Sequence, residues 1–328
     1  MAARFWRSVL GGAVALAGLS GVFLALEFSL PPPIAVAIGI GVLAALLIAV
    51  VASSFVLAQS ARNDLQARRK PRNALRALLG EIIEFPLAML AMSFYIRPKM
   101  QAQAPAHGQA HAPLQAQAQA QLQARAPGAA EPALRPVLLL HGFLCNANIW
   151  RRLQMRLRTA GFGPIEALDV EPLLADIDFL AGRVAPSLLA LQRRCHGERV
   201  VIVAHSMGGL IARALLRDLG AGAIRRIVTI ASPHHGTALA RGLPWPNTQQ
   251  MSAVSPWLRA LNLAQEGRFA VPIASIFSAE DNLVAPAASA RLEAAELHEL
   301  HGVGHLGILR SRQALDCVMT ALTQADPR

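Results

Sequence analysis

Two long stretches near the N-terminus contain no charged residue, and they limit what this chain can fold into more than any other feature. One covers residues 9–26 and the other covers residues 34–58. A helix that crosses the hydrocarbon core of a bilayer needs about 20 apolar residues, and the triple proline at 31–33 favours a tight bend between the stretches. Residues 1–60 are therefore predicted to form two transmembrane helices in a hairpin. A cleaved signal peptide is the alternative for the first stretch.

Basic residues flank the outer ends of this predicted hairpin. Arg4 and Arg7 precede it and six more basic residues follow at 62–76, whereas the proline-rich connection has none. Because such flanks tend to stay in the cytoplasm, the rest of the chain is predicted to lie on the cytoplasmic side.

Residues 61–99 are predicted to form a basic and amphipathic juxtamembrane segment. Its apolar part at 74–96 carries three charges near its start, which favours an amphipathic helix at the membrane interface. A third span, which would place the rest of the chain on the opposite side, is the alternative.

Residues 100–135 are dominated by Gln, Ala and Pro, with almost no bulky apolar side chain. Such a composition cannot bury a core, so a disordered linker is predicted. His107 and His111 have the spacing of a metal pair, but their flexible surroundings favour plain linker residues.

Composition limits the classes of function. The net charge is +11, yet the chain has only two lysines, Lys70 and Lys99, and 5% aromatic residues, so it lacks the folded basic face and the stacking aromatics of a nucleic-acid-binding protein. Its three cysteines, an odd number without CxxC spacing, indicate neither a disulfide framework nor a zinc ribbon.

The segment 136–328 alternates short apolar runs with helical stretches. Strands are predicted at 137–140, 165–168, 199–205, 224–232, 271–278 and 295–300. Helices are predicted near 147–160, 180–195 and 207–219, after Pro286, and from about 308. Alternation of this kind predicts an α/β fold with a doubly wound, mostly parallel sheet covered on both faces.

The sharpest chemical motif is VVIVAHSMGG at 200–209, a buried strand that runs into a turn of small residues and then a helix. Serine becomes a nucleophile when a sharp turn presents it beside a base, and the backbone then needs small residues two positions away on each side. Ala204 and Gly208 meet that need around Ser206. The structural alternative is that Ser206 only caps the helix.

Two backbone amides are candidates for stabilising an oxyanion. The strand at 137–140 leads into His141, Gly142 and Phe143, and ligands gather at the carboxyl ends of strands in such sheets. The amides of Phe143 and of Met207, the residue after the serine, are predicted to form the oxyanion hole. His141 is interpreted as structural because it precedes the nucleophile in the chain.

A carboxylate and a histidine follow the last two predicted strands. In the order serine, acid, histidine that this architecture uses, Asp281 would orient the imidazole and His305 would take the serine proton. Glu280 and His301 are their alternatives.

These motifs resemble the α/β-hydrolases, and among them the bacterial lipases and esterases. The resemblance covers residues 136–328. It rests on LLLHGF at 138–143, AHSMGG at 204–209, TIASPHHGT at 229–237, DNLVAP at 281–286 and GVGHLGIL at 302–309. It implies the same nucleophile, acid, base and oxyanion amides, and it gives the loop at 233–237 a role in shaping the site.

Neither a cofactor nor a metal is expected from this resemblance. An aspartate that binds calcium in some secreted relatives is replaced here by Gly307.

The membrane that the predicted hairpin crosses twice would be the bacterial inner membrane. The expected activity is cleavage of carboxylic esters with hydrophobic acyl groups through an acyl-enzyme. The alternatives are acyl transfer by the same triad and a catalytically silent, membrane-tethered binding module.

A short cap is predicted near 242–268, where the chain leaves the strand order. Its residues Trp245, Met251, Trp257 and Leu258 are predicted to contact an acyl chain. Packing of the same side chains on the main core is the alternative.

Overall fold

A computed structural model describes residues 1–28, 31–60, 70–95, 135–265 and 269–324. The chain begins with helices α1 (Ala2–Phe28) and α2 (Pro32–Ser60). They pack closely, because a Cβ on Gly39 would lie 2.4 Å from the carbonyl oxygen of Ala17. Within the described ranges one helix, at Pro33–Ala58, is long and apolar enough by length and composition to cross a membrane. Membrane insertion of a two-span hairpin and the side on which the rest lies remain predictions.

Helix α3 (Pro71–Ser93) covers most of the segment that the sequence assigned to the membrane interface. Its amphipathic character is present, but its acidic residues face the protein rather than water. Glu81 is only 1% exposed and lies against residues 304–307 of the C-terminal domain, and Glu84 pairs with Arg310 at 2.6 Å. α3 therefore belongs to the packed structure around that domain.

Six parallel strands form the sheet of the C-terminal domain, in the order β2-β1-β3-β4-β5-β6. The strands are β1 (Val137–Leu140), β2 (Ile165–Leu168), β3 (Val200–His205), β4 (Ile224–Ile230), β5 (Ile273–Ser278) and β6 (Glu296–Leu300). All lie where the sequence predicted them, to within two residues at either end, so the parallel α/β prediction is confirmed. Leu140 pairs with Ala204 and Ala204 with Thr229, which brings the carboxyl ends of β1, β3 and β4 to one edge.

Helices cover both faces of this sheet. They are α4 (Arg151–Thr159), α5 (Ile177–Arg194), α6 (Met207–Leu219), α7 (Pro246–Gln250), α8 (Pro256–Ala264) and α9 (Arg312–Thr323). Successive strand side chains point to opposite faces, so Leu138 and Leu140 join one core with α5 and α6, while Val137 and Leu139 join the other with α4 and α9. Burial of one such side chain contributes roughly 1.5–3 kcal/mol, so both faces of the sheet are stabilised.

Some expectations differ from the structure or lie outside it. After Pro286 the chain forms a short 3-10 turn at Ala287–Ala290 instead of a helix. The predicted linker, apart from Arg135, and the basic residues at 62–69 fall outside the described residues.

Candidate active site

Ser206 occupies the sharp turn between β3 and α6. Its backbone has φ 56° and ψ −126°, a conformation that costs a non-glycine residue about 1–3 kcal/mol. Small neighbours permit the turn: a Cβ on Gly208 would lie 2.4 Å from the carbonyl oxygen of Leu140, and one on Gly209 would lie 2.1 Å from Oγ of Ser232. The chain thus accepts local strain to hold one hydroxyl at the sheet edge, as expected of a nucleophile rather than of a helix cap.

The loop after β1 comes very close to this serine. A Cβ on Gly142 would lie 2.7 Å from Cβ of Ser206, which places the neighbouring Phe143 beside the nucleophile. Met207 is the first residue of α6, where amides have no partner within the helix. The predicted oxyanion residues therefore lie on two elements that meet at Ser206.

His141 is fully buried and occupied by structural contacts. Its Nδ1 lies 2.9 Å from the carbonyl oxygen of Gly142, and its Nε2 accepts the amide of Val170 at 2.8 Å. This pattern needs the proton on Nδ1. Burial lowers the pKa of His141, so the ring stays neutral and ties β1 to the chain after β2.

Asp281 and His305 form the acid–histidine pair expected from the sequence. Nδ1 of His305 lies 2.9 Å from Oδ2 and 3.1 Å from Oδ1 of Asp281, and both side chains are buried. Oδ1 also accepts the amides of Leu283 and Val284, each at 2.8 Å. The carboxylate is therefore fixed from two sides while it orients the ring.

The charge of this pair controls the titration of His305. Burial lowers the pKa of His305, but the charge and hydrogen bond of Asp281, together with the charge of Glu81, raise it by more, so the net shift is upward. An imidazole of raised pKa is a stronger base, which suits a group that takes a serine proton.

The alternative residues Glu280 and His301 have different contacts. Glu280 is completely buried and accepts the amide of Gly302 at 2.7 Å. The side chain of His301 is 56% exposed and lies 3.9 Å from that carboxylate. Glu280 thus fixes the start of the histidine loop and leaves Asp281 as the partner of His305.

The loop that carries His305, residues 302–307, is held along its length. Besides the bond from Gly302, the carbonyl oxygen of Val303 accepts Oγ–H of Ser278 at 2.6 Å. The amide of His305 donates to Oδ1 of Asn282 at 3.0 Å. This dense bonding positions the imidazole before any substrate binds.

His205, directly before the nucleophile, packs on His305 with ring centroids 4.7 Å apart. Burial, followed by the nearby charge of His305, holds its pKa well below the usual range. The neutral ring donates through Nε2 to the carbonyl oxygen of His305 at 3.2 Å. Sequence reasoning missed this contact because the histidines are 100 positions apart.

Ser206 and His305 line one cavity of about 340 Å³, a volume within the range of small-molecule sites. Of the four predicted acyl-chain contacts, Met251 lies in its wall. Trp245 lies beside it, with its ring centroid 6.0 Å from that of Phe143.

Trp257 and Leu258 do not line this cavity, so for them the core-packing alternative is the one observed. Nε1 of Trp257 donates to Asp178 at 2.7 Å, and Leu258 is 2% exposed within the core. The reason is that the apolar face of α8 packs against α6 rather than over the serine.

The predicted site-shaping loop supports the chain after Asp281. Oγ of Thr237 donates to the carbonyl oxygen of Leu283 at 2.7 Å and accepts the amide of Ala285 at 3.1 Å. His234 and His235 are bonded elsewhere, to Thr229 and to the carbonyl oxygen of Arg291.

The N-terminal helices also reach the cavity, which sequence reasoning did not foresee. Trp6 of α1 and Phe85, Met89 and Met92 of α3 lie in its wall. The acidic residues inside the apolar segment 74–96 were the available signal, because a charge there needs a partner in the fold.

Comparisons with known proteins bear on the fold of this domain. Residues 163–251 match the model of the PGAP1-like alpha/beta domain family. No curated protein matches the chain.

Solved structures of lipases resemble this chain. The mature lipase BlEst2 of Bacillus licheniformis matches at 17% identity with a TM-score of 0.52, over 61% of this chain and 97% of that one. Its propeptide form matches at 18% identity with a TM-score of 0.53, and this match spans about half of that chain, 53%. Lipase B of Aspergillus fumigatus matches at 18% identity with a TM-score of 0.60, over 96% of this chain and 86% of that one. At such identities the likeness shows the fold. The fold of the C-terminal domain is that of an α/β hydrolase.

Proposed function

We propose that this protein is a membrane-anchored serine hydrolase that cleaves carboxylic esters with hydrophobic acyl groups. The observation that carries the proposal is the convergence of three features on one cavity: a serine on a strained turn, a buried Asp281–His305 pair and a largely apolar wall. The lipase structures with the same fold support the choice of reaction.

The reaction would proceed through an acyl-enzyme. Oγ of Ser206 attacks the ester carbonyl carbon and its proton passes to Nε2 of His305, while the amides of Phe143 and Met207 stabilise the oxyanion. Collapse of this intermediate breaks the ester bond, and the leaving alcohol takes the proton from His305. Water then attacks the acyl group and gives a proton to the same nitrogen. Collapse of this second intermediate breaks the bond between the acyl carbon and Oγ of Ser206, Oγ takes the proton back from His305, and the carboxylic acid leaves.

Substitution of the nucleophile tests this proposal in the full chain purified in detergent. Ser206→Ala is expected to lower hydrolysis of p-nitrophenyl esters by about 10³-fold or more, and to abolish labelling by a fluorophosphonate. Ser252→Ala, in the nearby cap, is the matched control. Normal turnover by the Ser206 variant would refute the assignment. Absence of both turnover and labelling in the wild-type protein would favour the silent binding module.

Membrane anchoring is the second part of the proposal. The apolar helix at Pro33–Ala58 supports a span, and the basic flanks support a cytoplasmic hydrolase domain in the bacterial inner membrane. A cysteine added at the C-terminus should react with a membrane-impermeant maleimide only after the membrane is opened. Reaction in intact spheroplasts would place the domain on the other side.

A further inference from the structure

The wall that the N-terminal helices contribute to the cavity is apolar and specific. Trp6 is 9% and Met92 is 1% exposed. The rings of Trp6 and Phe85 meet edge to face, with centroids 6.4 Å apart and an interplanar angle of 87°. Met89 lies in the same cluster. We call these four side chains the helical wall. Flexible thioethers and aromatic faces adapt well to an alkyl chain.

Hydrogen bonds attach this wall to the loop that carries Phe143. Nε1 of Trp6 donates to the carbonyl oxygen of Leu144 at 2.6 Å. Nδ2 of Asn146 donates to the carbonyl oxygen of Met92 at 3.0 Å, and Nδ2 of Asn148 to that of Ala91 at 2.7 Å. The helical wall is therefore held in register with the reacting atoms.

The opposite face of α3 is also apolar, and it is exposed. Six large side chains at three- and four-residue spacing are 40% to 70% exposed: Leu75, Leu79, Ile83, Leu87, Leu90 and Phe94. α3 also packs against α1 and α2, whose large apolar side chains are exposed as well. An apolar surface of this extent, continuous with the helix proposed to cross the membrane, matches the interior of a bilayer.

We propose that the helical wall binds the acyl chain of a membrane lipid ester, which reaches Ser206 from the bilayer without crossing water. This inference rests on the proposed function, whose substrate class it narrows. Helix α3 then faces both the bilayer and the cavity. Its outer face contacts lipid, while its inner face binds the acyl chain of the lipid that is cleaved.

Filling the wall tests this inference in the full chain. Met89→Trp is expected to lower the ratio of laurate to acetate p-nitrophenyl ester hydrolysis by about tenfold, since the short acyl group does not need the wall. The same variant should slow release of lauric acid from glycerol monolaurate in phosphatidylcholine vesicles that hold the protein. Leu87→Trp places the same bulk on the exposed face and is the matched control.

Each outcome of this experiment either supports or overturns binding of the acyl chain by the helical wall. An unchanged ratio in Met89→Trp, with fluorophosphonate labelling intact, would overturn the helical wall but not the hydrolase. If Met89→Trp does not fold, Met89→Ala should move the preference toward longer chains, and no movement overturns the inference. If the wild-type protein cleaves neither ester and Ser206 is not labelled, both proposals fail.

A second inference rests on a different observation, the contact of Glu81 with the histidine loop. Oε1 of Glu81 accepts the amides of Leu306 at 2.9 Å and Gly307 at 2.6 Å. A Cβ on Gly304 would lie 2.2 Å from Cγ of Glu81, so glycine there admits the side chain. We infer that Glu81 is a positioning residue, which fixes His305 from α3.

The surroundings of Glu81 support a role in charge as well as in position. Burial raises the pKa of Glu81 to about 7, against the lowering effect of the amide of Gly307 and the charge of His305. The charge of Asp281 acts in the upward direction. Glu84 on the same helix is paired with Arg310. Arg76 lies against Gly302 at the other end of the loop.

Two substitutions separate position from charge. Glu81→Ala removes both the accepting oxygen and the negative charge. It should lower kcat by about tenfold or more, with little change in KM. Glu81→Gln keeps the accepting oxygen, so it should retain kcat but move the acidic limb of kcat/KM to lower pH. Glu84→Gln, which removes an ion pair of the same helix, is the control. Unchanged kcat in the alanine variant, or an unmoved limb in the glutamine variant, would overturn the inference.

Discussion

The hydrolase domain and the N-terminal helices use apolar residues in opposite ways. Every residue of β1, β3 and β5 is buried, whereas Val14 and Leu16 of α1 are 60% and 65% exposed. The buried side chains of these helices lie where they meet each other or the domain, as Met92 does. The difference teaches that the domain buries its apolar residues in its own core, while the helices present theirs both outward and to the wall of the cavity.

The largest effect should come from Asp281, the proposed acid of the triad, inside the domain. Asp281→Asn is expected to lower kcat by about 10³-fold or more for acetate and laurate esters alike, because the imidazole loses its charged partner. Steady-state kinetics check this, with Asp316→Asn on the surface of α9 as the matched control. A loss of kcat for the laurate ester alone would assign Asp281 to substrate binding. The contrast between the domain and the N-terminal helices would then fail.

The contact between the two regions can be broken at Gly304. A methyl group there meets Cγ of Glu81, so Gly304→Ala is expected to destabilise the protein by about 1–3 kcal/mol through overpacking. A Cβ on Gly182 of α5 meets nothing within 4 Å, so Gly182→Ala should instead stabilise slightly. Denaturant titration in detergent measures both. Equal stability of the two variants would mean that α3 does not pack tightly on the loop.

A smaller effect should appear in the pH dependence. The base must be neutral to accept the serine proton, and the pKa of His305 is raised. The acidic limb of kcat/KM should therefore lie above the ordinary histidine value of about 6.5, and activity should fall as the pH falls through it. A limb at or below that value would show that the carboxylates do not govern the ring.

Sequence reasoning reached the parts of this molecule that have local signals. Buried parallel strands are short apolar runs, and the turn at Ser206 needs small residues nearby, so both could be predicted from neighbours in the chain. The contact of Glu81 with Leu306 joins positions 225 apart, and no local pattern encodes it. Trp257 and Leu258 show another limit, because apolar residues at helical spacing look the same whether they face a core or a cavity.

The smallest effect concerns two tryptophans with similar bonds and different surroundings. Nε1 of Trp6 bonds to the loop beside the cavity, and Nε1 of Trp257 bonds to Asp178 away from it. Trp257→Phe should cost about 1 kcal/mol of stability through its lost hydrogen bond and leave the acyl-chain preference unchanged. Trp6→Phe should change that preference by a few-fold, because it loosens the helical wall. A panel of esters of graded chain length measures both variants. If Trp257→Phe changed the preference more than Trp6→Phe, the cap rather than the helices would hold the acyl chain.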